Sequence, residues 1–454
     1  MACDFFYPNV GGVETHIYAL SQCLIARGHR VVVITHSYGP KGRQRQGIRY
    51  MSHGLKVYYI PFLPIYRETI LLTVYGTLPI IREILIREQI DILHGHSSFS
   101  DLGSEAILHA QGMGIPTILT DHSLFGFADF TAVFMNKILT GVLGQIDSVI
   151  CVSHTGKENT VLRAGLDPER VYVIPNAIDT SAFLPNPSAR DLRFGGDGPK
   201  RLDLEEMRER YQLHSRVKFV GSLKPQEVRD LLVQGDIFLN TSLTEAFCVA
   251  LLEAVSCGLL VVSTAVGGVP EVLPSEYVRL APARAPEMAV SVANAVVEIL
   301  QQRSQSDALC TTDDPGNVVS ACTEDSVIAS SDQRVRKMHE WVRAAYSWPQ
   351  VAERTEVVYY SAMARERADF NSMLKKYYTE IGGAYGFTLC FLAQIHRFLL
   401  HLASWFRPAH YPLVESSKYS EPHISGGYQH MLTYTTSLSN PNPTDAALAS
   451  PTSA

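Results

Sequence analysis

The stretch that decides the fold is Asn240-Thr-Ser-Leu-Thr-Glu245-Ala-Phe-Cys-Val-Ala-Leu-Leu-Glu253, which follows the strand-like run Asp236-Ile-Phe-Leu-Asn240. Its two carboxylates are a little over two helical turns apart, so they fall near the same face of a helix. Glu245 is predicted in the loop or first turn, and Glu253 inside the helix. Because the rest of that helix is apolar, Glu253 needs a polar partner, and a ligand hydroxyl is a good candidate.

Upstream of this stretch, short β-rich runs alternate with helical patterns as far as residue 180. Such alternation predicts a parallel, doubly wound α/β sheet. Strands are predicted over Cys3–Tyr7, Arg30–Thr35, Leu55–Ile60, Asp91–His94, Pro116–Thr120, Ser148–Val152 and Val171–Ile174. Helices are predicted over Val13–Leu24, Thr69–Glu88, Phe99–Gly112, Thr131–Gly144 and Thr155–Ala164.

A second α/β region follows a proline- and asparagine-rich linker at Pro175–Asp179 and Pro185–Pro187. The polar residues 303–334 are predicted to be a disordered insertion. The predicted elements of this region are Val217–Val220, Gln226–Val233, Asp236–Asn240, Phe247–Cys257, Leu260–Ser263, Glu287–Gln301, a helix resuming near Val335, and Val351–Met363.

Composition excludes some classes of partner and compartment. A net charge of -6 and a pI near 6.2 argue against nucleic-acid binding. The eight cysteines form no Cys-x-x-Cys pair, and several lie in apolar runs, as reduced thiols do. Reduced thiols favour a cytosolic location, and no basic-then-apolar signal segment is found at the N-terminus.

The most apolar long stretch, Gly382–Phe406, is long enough to span a bilayer. A spanning helix, an interfacial amphipathic helix and a soluble core helix all remain open. Lys375 and Lys376 precede the stretch and favour a cytosolic N-terminal side, and the tail over 407–454 is predicted to be disordered. The helix is interrupted by polar residues that share one face, namely Gln394, Arg397, His401 and Ser404.

Two strand ends carry candidate site residues. Gly11 and Gly12 follow the first strand and open the first helix, where free N–H groups attract an anionic ligand, although an ordinary turn has the same sequence. His122 follows another strand of the same sheet and points into the crevice. We place His94 and His96 on opposite sides of a strand end, see no third ligand, and predict no metal site.

Long runs of this chain together resemble the GT-B retaining glycosyltransferases of family 4, and within them the phosphatidylinositol N-acetylglucosaminyltransferase catalytic subunits. The run Asp121–Asp129 is far more specific than the family-wide Glu-x7-Glu of Glu245 and Glu253. The segments that carry the resemblance are Asp4–Glu14, His96–Ser100, Thr120–Asp129, Ile150–Ser153, Lys157–Arg163, Val173–Ala177 and Phe238–Cys248.

The resemblance implies two Rossmann-like domains facing a cleft. These are an N-terminal acceptor domain over 1–180 and a nucleotide-sugar domain over 181–302 and 335–363, followed by a membrane helix over 382–406. It implies retaining transfer of N-acetylglucosamine from UDP-GlcNAc to phosphatidylinositol, the first step of GPI-anchor biosynthesis. No metal or other cofactor is expected. The resemblance also implies a multi-subunit complex at the endoplasmic reticulum membrane, with a cytosolic catalytic domain.

The resemblance also implies roles for individual residues. His122 and Glu245 are the implied catalytic residues and would contact the transferred sugar. The backbone of Phe247 and Cys248 would hold the same sugar, and Glu253 would hold the ribose hydroxyls of UDP. The residues implied on the diphosphate or acceptor side are Gly11 and Gly12.

The chain departs from the family pattern after the linker. A strand, a loop carrying an Arg and a Lys-Gly, a helix and a second strand ending at Gly-Gly-x-Gly-Pro are expected there. Here Ala189–Phe194 runs directly into Gly195, so a strand–helix–strand unit of at least about 30 residues is absent. The absent loop would supply the cations that hold the diphosphate. The cations that lie near this point of the sequence are Arg193, Lys200 and Arg201.

Three functions therefore remain open. The first is an active GlcNAc transferase subunit, favoured by the presence of His122, Glu245 and Glu253. The second is a non-catalytic isoform that acts only as a complex subunit, favoured by the absent loop. The third is another family 4 transferase with a different acceptor, against which the Asp121–Asp129 run argues.

Overall fold

The computed structural model describes residues 1–39, 44–65, 68–124, 136, 139–186, 200–308, 324–366, 370–381 and 383–407. The glycine turn at Gly195–Gly198, Arg193, most of the run after Leu124 and the predicted tail lie outside these ranges. The insertion predicted to be disordered is helical at both of its described ends, because the flanking helices continue into it.

The N-terminal domain is built on a sheet that is parallel except where β2 pairs with β3. Hydrogen bonds from residues 1–3 join its two parts, because Ala2 bridges to Ile34 and to Gly95. The strand predicted over Cys3–Tyr7 is thus reduced to a bridge at Ala2, and β2 was not predicted. The strands are β1 Val32–His36, β2 Gly47–Tyr50, β3 Lys56–Ile60, β4 Leu93–His96, β5 Thr117–Asp121, β6 Ser148–Cys151 and β7 Val171–Val173.

Helices cover both faces of this sheet, as the doubly wound prediction requires. Along β5, Leu119 faces the core under α2 and α3, whereas Ile118 faces the core under α1. The helices of this half are α1 Gly12–Ala26, α2 Leu78–Arg87, α3 Asp101–Gly112 and α4 His154–Ala164. Of the helix predicted over Thr131–Gly144, the described residues 139–143 are helical.

The helix predicted over Thr69–Glu88 forms only from Leu78 onward. The carboxylate of Glu105 on α3 accepts hydrogen bonds from the backbone N–H groups of Thr73 and Val74 and from the hydroxyl of Thr77. Glu105 is fully buried, so the hydrogen bonds that satisfy it fix the preceding segment as a loop.

The second domain has three described parallel strands in the order β10-β9-β8. No regular strand forms over Val217–Val220, contrary to the prediction, and helix α5 contains no buried residue. Both findings fit the absence of the strand–helix–strand unit that would have paired with and covered them. The elements are α5 Arg201–Arg210, α6 Pro225–Leu232, β8 Ile237–Asn240, α7 Val249–Ser256, β9 Leu260–Thr264, β10 Val278–Ala281, α8 Ala285–Ala308 and α9 Glu324–Ala345.

The next helix, α10 (Trp348–Ala364), returns to the N-terminal domain. Its buried residues pack against Leu20 and Leu24 of α1, although the sequence grouped this segment with the second domain. The carboxylate of Glu356 on α10 accepts from Arg27 and pairs with His29. The chain therefore crosses between the domains twice.

The C-terminal helices are α11 (Phe370–Lys376) and α12 (Gly383–Phe406). By length and composition, α12 is the one helix in the described part of the chain that could cross a membrane, and 11% of its most apolar window is buried. One side of α12 contacts the N-terminal domain, because Tyr75 donates to the carbonyl of Leu392 and His109 hydrogen-bonds His396. The other side exposes a stripe of large apolar residues, including Phe387, Phe391, Phe398, Leu402 and Trp405.

Candidate active site

His122 lies just beyond the carboxyl end of β5, as predicted, and its position depends on Asp121. The Asp121 carboxylate is buried, accepts from the hydroxyls of Ser98, Ser123 and Thr160, and lies 3.7 Å from the Arg163 guanidinium. Because both charges are almost fully buried, this pair holds the loop that carries His122 in one position.

Three histidines meet at this point, and two of them were not predicted as site residues. The ring of His122 lies 4.6 Å from that of His16 on α1, and its Nε2 lies 3.5 Å from Nδ1 of His96 at the end of β4. The prediction that His94 and His96 point apart is wrong. They are two residues apart on a strand, so they share a face, and their rings lie 4.1 Å apart.

The histidines are neutral at physiological pH. Burial lowers the pKa of His122 to about 3, and burial also lowers the pKa values of His16 and His96 well below the usual range. His16 Nδ1 lies 2.9 Å from the Asn176 amide oxygen. A neutral imidazole at the cleft can hydrogen-bond a sugar hydroxyl without placing a cation beside it.

These three histidines could also hold a metal ion. Their candidate ligand atoms all lie within 4.8 Å of one another, and Nε2 of His96 is buried without a hydrogen-bond partner among the described residues. The prediction that no third metal ligand lies near His96 is therefore wrong, because His16 and His122 each offer a ring nitrogen. Tetrahedral zinc requires shorter separations between nitrogens than 4.8 Å, so the rings would have to move to bind it.

On the other side of the cleft, the decisive sequence stretch folds nearly as predicted. Glu245 lies in the loop and accepts from the Ser242 hydroxyl at 3.0 Å, while Phe247 is buried against Tyr346. Cys248 stands before α7 with a φ of 54°, in the left-handed region that costs a non-glycine residue energy. Burial raises the pKa of its thiol to about 12, so Cys248 is a neutral thiol.

Glu253 lies one turn into α7 and is nearly buried. Its carboxylate makes no hydrogen bond to any residue that the structure describes, and burial raises the pKa of this carboxyl to about 7. A buried carboxylate without a hydrogen-bond partner destabilises the folded protein when it is ionised. A ligand hydroxyl that donates to it would offset this cost.

The glycine pair begins α1 as predicted. Gly11 is the residue before the helix, and a side chain there would meet the Glu14 carboxylate, whereas a side chain at Gly12 would enter open space. In the first turn of this fifteen-residue helix the Glu14 carboxylate accepts from its own backbone N–H, while the space beside Gly12 is open.

Contacts between the domains close one side of the cleft. The carboxylate of Glu271 accepts from the backbone N–H groups of His154 and Thr155 at the N-terminus of α4, at 2.6 and 2.8 Å. Gly268 N donates to the carbonyl of Glu245, and a side chain on Gly268 would collide with Ser153. The turn at residues 266–270 thus holds the loop of Glu245. The Gly268 N–H donates to that loop and therefore does not offer a hydrogen bond to a ligand.

The chain matches known families along most of its length. The PIGA (GPI anchor biosynthesis) model matches residues 36–129, and a model described as glycosyl transferases group 1 matches residues 174–302. A phosphatidylinositol N-acetylglucosaminyltransferase subunit of Homo sapiens is 43% identical over 443 residues, which takes in 90% of this chain and 85% of the relative. The corresponding subunit of Arabidopsis thaliana is 47% identical over 399 residues, covering 80% and 81%. The chain belongs to the PIGA family of phosphatidylinositol N-acetylglucosaminyltransferase subunits.

Solved structures show the same fold at low sequence identity. Sucrose-phosphate synthase from Thermosynechococcus elongatus aligns with a TM-score of 0.57 and 19% identity over 78% of this chain and 94% of that chain. Anabaena Alr3699/HepE in complex with UDP-glucose aligns with a TM-score of 0.55 and 15% identity, over 78% and 98%. The GT-B prediction is confirmed, and this member of the PIGA family is a glycosyltransferase by fold and by family.

Several residues of the site were missed by reading the sequence. His16 and Asn176 approach each other from distant segments, and Glu271 reaches across from the second domain. The sequence did offer one indication for His16, which lies one turn into α1. At that position its ring comes next to His96 and His122 at the ends of β4 and β5. For Glu271 no local signal exists, because its partner is the end of α4 in the other domain.

Proposed function

We propose that this chain transfers N-acetylglucosamine from UDP-N-acetylglucosamine to the inositol of phosphatidylinositol with retained configuration, the first step of GPI-anchor biosynthesis. The observation that carries the proposal is the 43–47% identity to named subunits of that transferase over most of both chains. The presence of His122, Glu245 and Glu253 supports it. A side chain on Gly267 would meet both the Glu245 carbonyl and Leu124, so the loops that carry Glu245 and His122 lie side by side.

The donor is proposed to bind the second domain. The buried carboxylate of Glu253 would accept from the ribose hydroxyls, and hydrogen bonds to a charged group contribute about 1.5–3 kcal/mol each. Glu245 and the backbone at Phe247 and Cys248 would hold the sugar. The left-handed Cys248 turns the chain into α7, and the backbone N–H groups of Ala250 and Leu251 donate to its own sulfur.

The transferred sugar is proposed to lie between Glu245 and His122. Neutral His122 would hydrogen-bond a sugar hydroxyl from the N-terminal domain, while the N-terminus of α1 at Gly11 and Gly12 would face the diphosphate or the acceptor. We propose that no metal takes part. The matching test is activity after dialysis against a chelator, which should leave transfer unchanged.

A non-catalytic subunit is the second candidate, and one observation favours it. The described cations nearest to the absent loop are already paired on their own helix, Lys200 with Asp203 at 2.9 Å and Arg201 with Glu205 at 2.8 Å. A leaving diphosphate would therefore need another source of positive charge. A family 4 transferase with a different acceptor is less well supported, since this chain is only 24% identical to an N-acetyl-alpha-D-glucosaminyl L-malate synthase of Bacillus anthracis and 23% identical to an alpha-monoglucosyldiacylglycerol synthase of Streptococcus pneumoniae.

The deciding experiment uses microsomes in which this full-length chain replaces the native catalytic subunit. Labelled GlcNAc-phosphatidylinositol should form from UDP-GlcNAc, should disappear with Glu245→Ala and should persist with Glu276→Ala, an exposed control in the same domain. Absence of product from a membrane-bound, well-expressed chain would contradict catalysis. Binding of UDP-GlcNAc without transfer would then identify the non-catalytic form.

We further propose that the chain works with other subunits at the endoplasmic reticulum membrane, with its two GT-B domains in the cytosol. The relatives are named as subunits, and α12 offers an apolar surface for lipid or for partner helices. Co-purification of the full-length chain from solubilised microsomes tests the assembly.

A further inference from the structure

A large cavity lies between α12 and the N-terminal domain, beside the places where the two are in contact. It measures about 1240 Å³, which exceeds the usual range of about 300–1,000 Å³ for small-molecule pockets. Much of its wall is apolar, with Leu108 and Ile115 on the domain side and Leu389 and Leu392 on the helix side. A cavity of this size beside a membrane-capable helix has room for hydrocarbon chains as well as a polar group.

Three arginines line the same cavity without a carboxylate partner among the described residues. The Arg82 guanidinium donates only to the Ser404 hydroxyl and the Arg407 carbonyl within that part of the chain, although the residue is 5% exposed. Arg365 donates to the carbonyl of Asp147, and Arg397 lies 4.5 Å above the ring of Phe370. All of these partner groups are neutral.

The remaining charges of the wall do not supply the missing anion. Asp167 lies 3.9 Å from the Arg170 guanidinium, so that cation of the wall has its own carboxylate. Glu169 and Glu366 are exposed, and Asp147 accepts from the backbone N–H of Thr117.

Arg82 is buried, whereas Arg365 is half-buried and Arg397 is exposed. Burial lowers the pKa of the Arg82 guanidinium, and the nearby Glu83 carboxylate offsets this only in part. Phosphate is the anion that the fork-shaped donors of arginine match best.

The cavity is distant from the cleft. Its wall includes Ile115, which precedes β5, whereas His122 follows the same strand. The five-residue strand between them is about 15 Å long, so a phosphate held here could not present its headgroup to the donor sugar.

We infer that this cavity binds one anionic phospholipid that is not consumed, with its phosphodiester near the three arginines and its acyl chains between α12 and the N-terminal domain. The site differs from the acceptor site, and the inference does not depend on catalysis. Its role is to fasten α12 to the catalytic domain, in addition to the direct contacts that Leu392, His396 and Ser404 make with that domain.

The test uses the full-length chain purified in a mild detergent and washed free of loose lipid. Extraction and mass spectrometry should find about one anionic phospholipid per chain. The double variant Arg365→Gln/Arg397→Gln should retain at least about tenfold less, and Ala393→Phe, which fills the cavity wall, should do the same. Arg354→Gln is the matched control, since Arg354 also donates to a backbone carbonyl but lies outside the cavity.

Melting temperature provides a second measurement that does not depend on the purification. Mixed micelles with phosphatidylglycerol or phosphatidylinositol should raise it for the wild type and not for the double variant. Phosphatidylcholine and inorganic phosphate should leave it unchanged. Equal retention by all variants, retention of detergent alone, or equal stabilisation by phosphatidylcholine would overturn the inference. Conversion of the retained lipid on addition of UDP-GlcNAc would identify an acceptor site and overturn it too.

Discussion

Glu253→Gln should stabilise the folded protein and weaken its binding of the nucleotide-sugar donor. Burial raises the pKa of Glu253 to about 7, above the ordinary carboxyl value of 4.5. A carboxyl whose pKa is raised by folding destabilises the folded state wherever it is ionised. This cost is complete above pH 7, falls as the pH drops from 7 toward 4.5, and vanishes below. The shift corresponds to about 3 kcal/mol at pH 8 and about 1 kcal/mol at pH 5.

The assay is denaturant unfolding of the purified chain at both pH values. Glu253→Gln should gain about 3 kcal/mol at pH 8 and about 1 kcal/mol at pH 5, because the amide removes the buried charge. Glu206→Gln, on the exposed surface of α5, is the control and should change little at either pH. An equal gain at pH 5 and pH 8, or no gain at pH 8, would refute the argument from charge burial.

The same variant should bind UDP more weakly by calorimetry. The loss of charged hydrogen bonds to the ribose hydroxyls, about 1.5–3 kcal/mol, predicts a roughly tenfold to hundredfold rise in Kd. Unchanged affinity would remove Glu253 from the proposed donor site, even if the stability result were confirmed. The two results together would show that the Glu253 carboxylate strengthens UDP binding and lowers the stability of the folded protein.

Three further predictions concern the cleft. Asp121→Asn should lower the free energy of unfolding by about 3 kcal/mol, since it removes the buried carboxylate that faces the Arg163 guanidinium. A loss below about 1 kcal/mol on denaturant titration would contradict this, and the exposed Asp203→Asn is its control. Glu271→Gln should raise KM for UDP-GlcNAc up to about tenfold with less effect on kcat, because it weakens one contact that closes the domains; steady-state kinetics decide, and an unchanged KM would exclude a role in closure. Chelation of divalent metals should leave transfer unchanged, and a loss of activity restored by zinc would instead identify the histidine cluster as a metal site.

Periodicity predicted the elements that are buried on both faces, because such elements carry their own signal. The runs that became β1, β6 and β9 are mostly apolar, and each strand formed within one or two residues of its prediction. The segment before α2 shows the limit. Its own pattern is helical, yet the buried carboxylate of Glu105, thirty-two residues away from Thr73, takes its N–H groups.

The candidate site shows the same division. The order of His122, Glu245 and Glu253 relative to strand and helix ends could be predicted, because parallel strands place their carboxyl ends on one edge. The error at His94 and His96 came from placing the end of β4 two residues too early. The contacts of His16 with Asn176 and of Glu271 with α4 depend on how distant segments pack, and no local pattern encodes them.

The return of α10 to the N-terminal domain has a mechanical consequence. The two halves of the molecule are joined at two separate points of the chain, near Ile178 and near Ser347, and two pivots define a line. Rotation about that line is the movement that opens the cleft while both connections keep their present length. The gap between His122 and Glu245 is therefore governed by a single angle.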